Sequence, residues 1–156
     1  HPQKPFIYRI DAQELHPVYR LKIENADFPP AEFLQKEESR SPHFTQALAA
    51  SDYIATYSLF ENKKGFIISY LAKKTPFIGL YRKDTRETVN YGLLEFTKMM
   101  QVDGMSQPLG CTDLYFISTL SPHTLQTRYP RREALQKLKE ETQADDNPIV
   151  CLYNFN

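Results

Sequence analysis

Four short β runs between residues 53 and 92 constrain this chain more than anything else in it. They read "YIATYSLF" at 53–60, "FIISYLA" at 66–72, "PFIGLYRK" at 76–83 and "TVNYG" at 88–92, and only three to five residues separate one from the next. Each run is rich in β-branched and aromatic side chains, which fit a pleated, packed surface. The expectation is one four-stranded antiparallel meander. "ENKKG" supplies a turn in which Gly65 is expected to take positive φ. "KKT" supplies the next turn. Pro76 is tolerated because no ladder donor is needed at the first residue of a strand. The charge-rich tip "YRKDTRE" reads as a solvated turn, and the last run is short and polar, as suits an edge strand. The second run alternates Phe66, Ile68 and Tyr70 with Ile67, Ser69 and Leu71, so both of its faces are expected to be buried.

A sheet of this size cannot cover both of its faces, so it needs further layers. Two regions can provide them. "FIYRID" at 6–11 and "VYRLKI" at 18–23 predict a hairpin, with 12–17 as the connection. In the second of these, Val18, Arg20 and Lys22 oppose Tyr19, Leu21 and Ile23. At the other end of the chain, "LYFISTL" at 114–120 reads as a buried strand, and "IVCLYNF" at 149–155 as a final one. Its inward set is expected to be Ile149, Cys151, Tyr153 and Phe155, because the alternative, Val150, Leu152 and Asn154, is less apolar. One or two short helices are expected in 30–50, with Pro30 at a first helical position and Ser41–Pro42 repeating the start signal. Another is expected over 131–142, with Leu135 and Leu138 on its apolar side. After residue 93 the chain reads as irregular. The methionines of "MMQVDGMSQPLG" are either a sticky binding loop or a loop that tucks Met99 and Met100 onto a core, and the second reading is the plainer one. The fold class is therefore all-β with small helical insertions, in a single domain of 156 residues.

Hydrophobic residues make up 41% of the chain, enough for a core and too many for wholesale disorder. Nineteen basic residues balance nineteen acidic ones, which argues against nucleic acid as partner and against an electrostatic membrane anchor. No stretch is apolar for long enough to span a membrane as a helix. The opening "HPQKPF" has neither Met nor an apolar leader, which suggests a processed product or an excised fragment. Cys111 and Cys151 fit no zinc spacing; free thiols are expected, with a disulfide between neighbouring strands as the alternative.

Four segments carry a resemblance: "FIYRIDAQELHPVYRLKIENADFPPAEF", "NKKGFIISYLAKKTPFIGLYRKDTRETVNYG", "DLYFIST" and "LKEETQADDNPIVCLYNFN". In this order and spacing the chain resembles the C-terminal part of six-bladed β-propeller proteins. These are related to NHL-repeat propellers and abundant in certain Gram-negative gut bacteria. The resemblance implies a partial propeller of about two blades of four-stranded sheet: a half blade at 6–23, a full blade at 53–92, and a half blade at 112–156 with a helical insertion near 131–142. It also implies export, to the periplasm or as an outer-membrane lipoprotein. Family members are roughly twice as long, and closed propellers complete their last blade with strands from both chain ends. The strand at 149–155 would then pair with strands outside this chain. Three arrangements stay open: an excerpt of a longer chain, a modified sandwich with the 131–142 helix covering an edge, and copies that close one ring by strand pairing.

Little in the chain announces chemistry. His1, His16, His43 and His123 show no metal-ligand spacing, and no nucleophile elbow or glycine-rich phosphate loop is present. The paired carboxylates of "DDNP" read as turn chemistry. No catalytic, cofactor-binding or metal residues are assigned, and no metal or cofactor is expected. Two function classes follow. One is a non-enzymatic binding or scaffold propeller for a glycan, peptide or protein. The other is a hydrolase- or lyase-type enzyme working in the propeller funnel. Such enzymes need a metal or a His and Arg cluster on the innermost strands, and 53–60 and 114–120 contain no His, Arg or Glu. That favours binding.

Overall fold

The computed structural model describes residues 5–12, 14–24, 26–35, 43–102, 104–128 and 132–154. Nine strands and five helices occur among them, gathered into three sheets. The central sheet is β3 (Ala55–Glu61), β4 (Gly65–Ala72), β5 (Thr75–Arg82) and β6 (Thr88–Gly92), in that spatial order, which is the meander the sequence predicts. All eight residues of β4 are buried, on both faces, whereas the edge strand β6 is mostly exposed. β5 pairs antiparallel with β6, from Phe77 opposite Gly92 to Tyr81 opposite Thr88.

The turns of this sheet work differently from expectation. Gly65 has no positive φ; it is the first residue of β4 and lies against the backbone of β5. A Cβ there would overlap the carbonyl oxygen of Tyr81, so glycine is required for close approach. Asn62 makes the turn instead. Its Oδ1 accepts the N–H of Lys64 and of Gly65, and its own N–H donates to Gly65 O. Between β4 and β5 only Lys73 and Lys74 intervene, with φ of 48° and 63°. Two left-handed residues in a two-residue connection are what the strand twist demands, although lysine is a poor residue for it.

Two compact units divide the chain: His1–Thr56 with Tyr70–Thr75, and Tyr57–Ser69 with Pro76–Asn156. In the first, β1 (Phe6–Ile10) pairs antiparallel with β2 (Leu15–Arg20). The second strand thus starts three residues earlier than the 18–23 run predicts. Pro17 breaks the alternation that sequence reading relies on, and the ladder accommodates it with a bulge next to its partner Tyr8. The hairpin turn is held by Asp11, whose Oδ1 accepts Glu14 N–H and whose Oδ2 lies 2.9 Å from His16 Nε2. The expected helices are α1 (Ala31–Gln35) and α2 (Phe44–Ala50). Pro30 stands just ahead of α1, its carbonyl accepting Leu34 N–H, while the Ser41–Pro42 start signal lies outside the described residues. Leu48, Ala55 and Leu71 form this unit's small core, with Phe33 edge-on to Tyr53 beside it.

The second unit holds the larger core, built from Ile67, Ile78, Leu80, Phe96, Phe116 and Leu120 among others. Here the third sheet runs β7 (Gly110–Cys111), β8 (Phe116–Leu120), β9 (Ile149–Tyr153), all antiparallel. β9 therefore pairs with β8, Leu152 opposite Ile117 and Ile149 opposite Leu120. Its inward set is Ile149, Cys151 and Tyr153, as expected; Phe155 lies outside the described residues. The outward set, Val150 and Leu152, is 63% and 58% exposed. Both cysteines are free thiols.

Residues 93–100 correct the sequence reading. They form α3 (Leu93–Met100), not an irregular stretch. Its start lacks a Ser, Thr, Asp or Asn cap; Gly92 N–H is held by the carboxylate of Glu95, three residues on. Met99 is exposed, Met100 packs on the core, and Met105 is buried. A second unpredicted helix, α4 (Pro122–Thr127), begins with Pro122 in its first turn after Ser121. The predicted helix over 131–142 is α5 (Glu133–Glu141), with Leu135 and Leu138 against the core. Gln126 ties α4 to α5 by donating to the carbonyls of Lys139 and Thr142. No helix among the described residues is long and apolar enough to cross a membrane.

Candidate functional site

The residues with perturbed titration are structural. Burial pushes the Tyr153 hydroxyl up to about 12, against a smaller opposing effect from its hydrogen bond to Ser118. Burial also raises Cys151 and Tyr70. Asp113 is pulled down by the hydrogen bond and charge of Lys63, 2.7 Å away on the surface. None of these is among the lining residues of the groove described below.

The three described histidines are not assembled into a site. His16 sits in the β1–β2 turn with Asp11, His43 contacts Gln46 ahead of α2, His123 is exposed in α4, and His1 lies outside the described residues. Among the described residues no group of three or more His, Cys, Asp or Glu is placed to hold a metal ion. β3 runs one residue beyond the predicted 53–60 and so ends on a carboxylate, Glu61. It is engaged at 2.5 Å by Lys83, whose Nζ also donates to Asn62 O, while Cys111 Sγ donates to Glu61 O. The tip "YRKDTRE" is thus anchored at Lys83 rather than wholly solvated.

What the second unit does offer is an open groove of about 370 Å³, near the lower end of the range for small-ligand sites. Its walls come from local devices. α3 ends where Gln101 turns left-handed (φ 55°) and donates to Lys98 O. The chain then folds back along β8: Met105 bridges to Leu120, and Ser106 N–H donates to Thr119 O. Gly104, at φ +85°, lies so close to Thr124 that a Cβ would overlap its methyl group, so α4 is in direct register with this segment. Leu93 and Leu94 of α3 and the buried Met105 make the apolar lining. Thr97 and Gln107 add uncharged polar groups. Lys98 and Arg128 bring two cations, Arg128 extending past Gly104 from the end of α4. Sequence reading missed this groove because its walls are the two helices that went unpredicted; the methionine-rich run was the one signal that pointed to it.

The matches to known proteins bear on this geometry. A family model described as "6-bladed beta-propeller" matches residues 1–119. The chain belongs to the six-bladed β-propeller family. A solved structure from Bacteroides fragilis, described as a "Putative exported protein", is similar to this propeller chain over 97% of its length, with a TM-score of 0.88 and 27% identity. The propeller chain spans 44% of the length of that structure. No curated protein matches it. A partial propeller accounts for the meander with both faces of β4 buried and for antiparallel sheets with small helices between them.

Proposed function

We propose that this propeller segment belongs to a non-enzymatic binding or scaffold protein whose ligand enters the groove of the second unit. The observation that carries the reading is the groove's make-up: an apolar lining from Leu93, Leu94 and Met105 beside two cations, with no carboxylate, histidine or cysteine among its described lining residues. Such a surface can hold and orient a molecule, and among its described lining residues it has no carboxylate or imidazole to activate Thr97 or Lys98 as a nucleophile. The same reading takes residues 6–23 and 112–156 as half blades and 53–92 as a full blade. It also takes the protein as exported, to the periplasm or the outer membrane, supported by the neighbour's description. Strands outside this chain, or a second copy, would pair along the ends of its sheets.

Calorimetric titration of the purified chain with a panel of oligosaccharides and peptides tests the proposal, with parallel assays for hydrolysis and elimination products. Saturable binding without turnover is expected. Turnover of any bound glycan, abolished by a substitution on an inner strand, overturns the non-enzymatic reading.

A further inference from the structure

We propose that the groove takes the free C-terminal carboxylate of a peptide ending in an aliphatic residue. This rests on the groove being the ligand site and names its ligand class. Three features point the same way. The first is charge. The chain as a whole is neutral, yet the ionic groups among the groove's described lining residues are Lys98 and Arg128, both cationic and neither ion-paired among the described residues. An arginine and a lysine lining one groove match a carboxylate, the arginine by two parallel N–H donors and the lysine as a point charge.

The second feature is the position of the apolar lining. Leu94 is 76% exposed in the first turn of α3, and Leu93 and Met105 line the same groove. Cations next to aliphatic side chains suit a ligand whose charge and apolar group leave the same carbon, as they do at a peptide's C-terminus. Methionine adapts to several aliphatic shapes, so the last residue need not be unique.

The third feature excludes competitors. No aromatic ring is among the described lining residues, so a sugar has no flat face to stack on. Thr97 and Gln107 provide the one or two uncharged partners that the last peptide group of a chain needs, rather than the dense polar set a glycan needs. A volume of about 370 Å³ admits one or two residues and not a folded element.

The test uses N-acetyl-alanyl-leucine as probe, its C-terminal amide as the neutral control and hexanoate as a carboxylate without a peptide group. Binding is followed by amide chemical shifts of the isotopically labelled chain. Expected are saturable shifts at Thr97, Lys98, Gly104 and Gln107 with the free acid, and at least tenfold weaker binding of the amide and of hexanoate. Arg128→Gln and Lys98→Gln, both at exposed positions, should each weaken the free acid severalfold or more and narrow the difference between acid and amide. If acid and amide bind equally at these residues, the carboxylate class is wrong while the groove remains a binding site. If hexanoate equals the dipeptide, the peptide source is wrong. If no probe moves these resonances, both the ligand class and the groove reading fall.

Discussion

The hydroxyl of Tyr153 lies 3.2 Å from Ser118 Oγ, and both residues are buried where β9 meets β8. Each is the other's polar partner in an apolar setting between Phe116 and Cys151. Removing one side of such a pair leaves a buried polar atom unsatisfied; removing both does not. Ser118→Ala should therefore cost about 1–3 kcal/mol, and Tyr153→Phe a comparable amount, while the double variant should cost clearly less than their sum. Urea unfolding of the four proteins measures this, and strict additivity would show that the hydroxyls do not interact.

The same tyrosine gives a pH dependence. Its folded pKa is raised from 10.0 to about 12, so between these values the unfolded chain releases a proton that the folded chain keeps. Stability from this group is full below pH 10 and is lost as pH rises toward 12. Tyr153→Phe should flatten the alkaline fall in stability relative to the wild type. Parallel curves for the two proteins across that window would contradict the assignment.

Gly65→Ala should destabilise by about 1–3 kcal/mol, because the added methyl meets backbone of Tyr81 that cannot move without disturbing β5. A glycine kept only for a left-handed turn would tolerate asparagine, whereas this one should not. Melting temperatures of the alanine and asparagine variants decide between the two roles.

Replacing Lys73–Lys74 by Asn–Gly should stabilise the chain by roughly 1 kcal/mol. Both residues sit in the left-handed region, which lysine occupies at a cost and Asn–Gly does not. An unchanged unfolding midpoint would mean that the lysines are not strained there.

Phe116 and Leu152 lie on the two faces of the third sheet. Phe116 is fully buried and Leu152 is 58% exposed. Phe116→Ala should cost about 3–5 kcal/mol, and Leu152→Thr no more than about 0.5 kcal/mol in this chain. A large loss at Leu152 would show that another sheet or a second copy already covers that face.

Much of this architecture was legible in residues 53–92. Alternation and turn spacing are local properties, and a one-residue slip would have turned the wrong face of each strand inward, so register and burial follow from the pattern. The inward choice of Ile149, Cys151 and Tyr153 was legible for the same reason. Local pattern could not show how backbone meets backbone. Gly65 was assigned to a turn from its type, yet it is needed because Tyr81, sixteen residues on, passes against it. Leu93–Met100 carried no capping residue of the usual kind, and its helix depends on Gly92 N–H reaching Glu95 and on Phe96 entering the core. The groove is further still from the sequence. Lys98, Gly104 and Arg128 come together only because the chain after α3 folds back along β8 and α4 lies against Gly104, and no periodicity records a contact of that kind. Sequence determined the strands through short-range patterning; tertiary structure alone decided the site, because a concave surface is made by segments whose separation along the chain leaves no repeating signal.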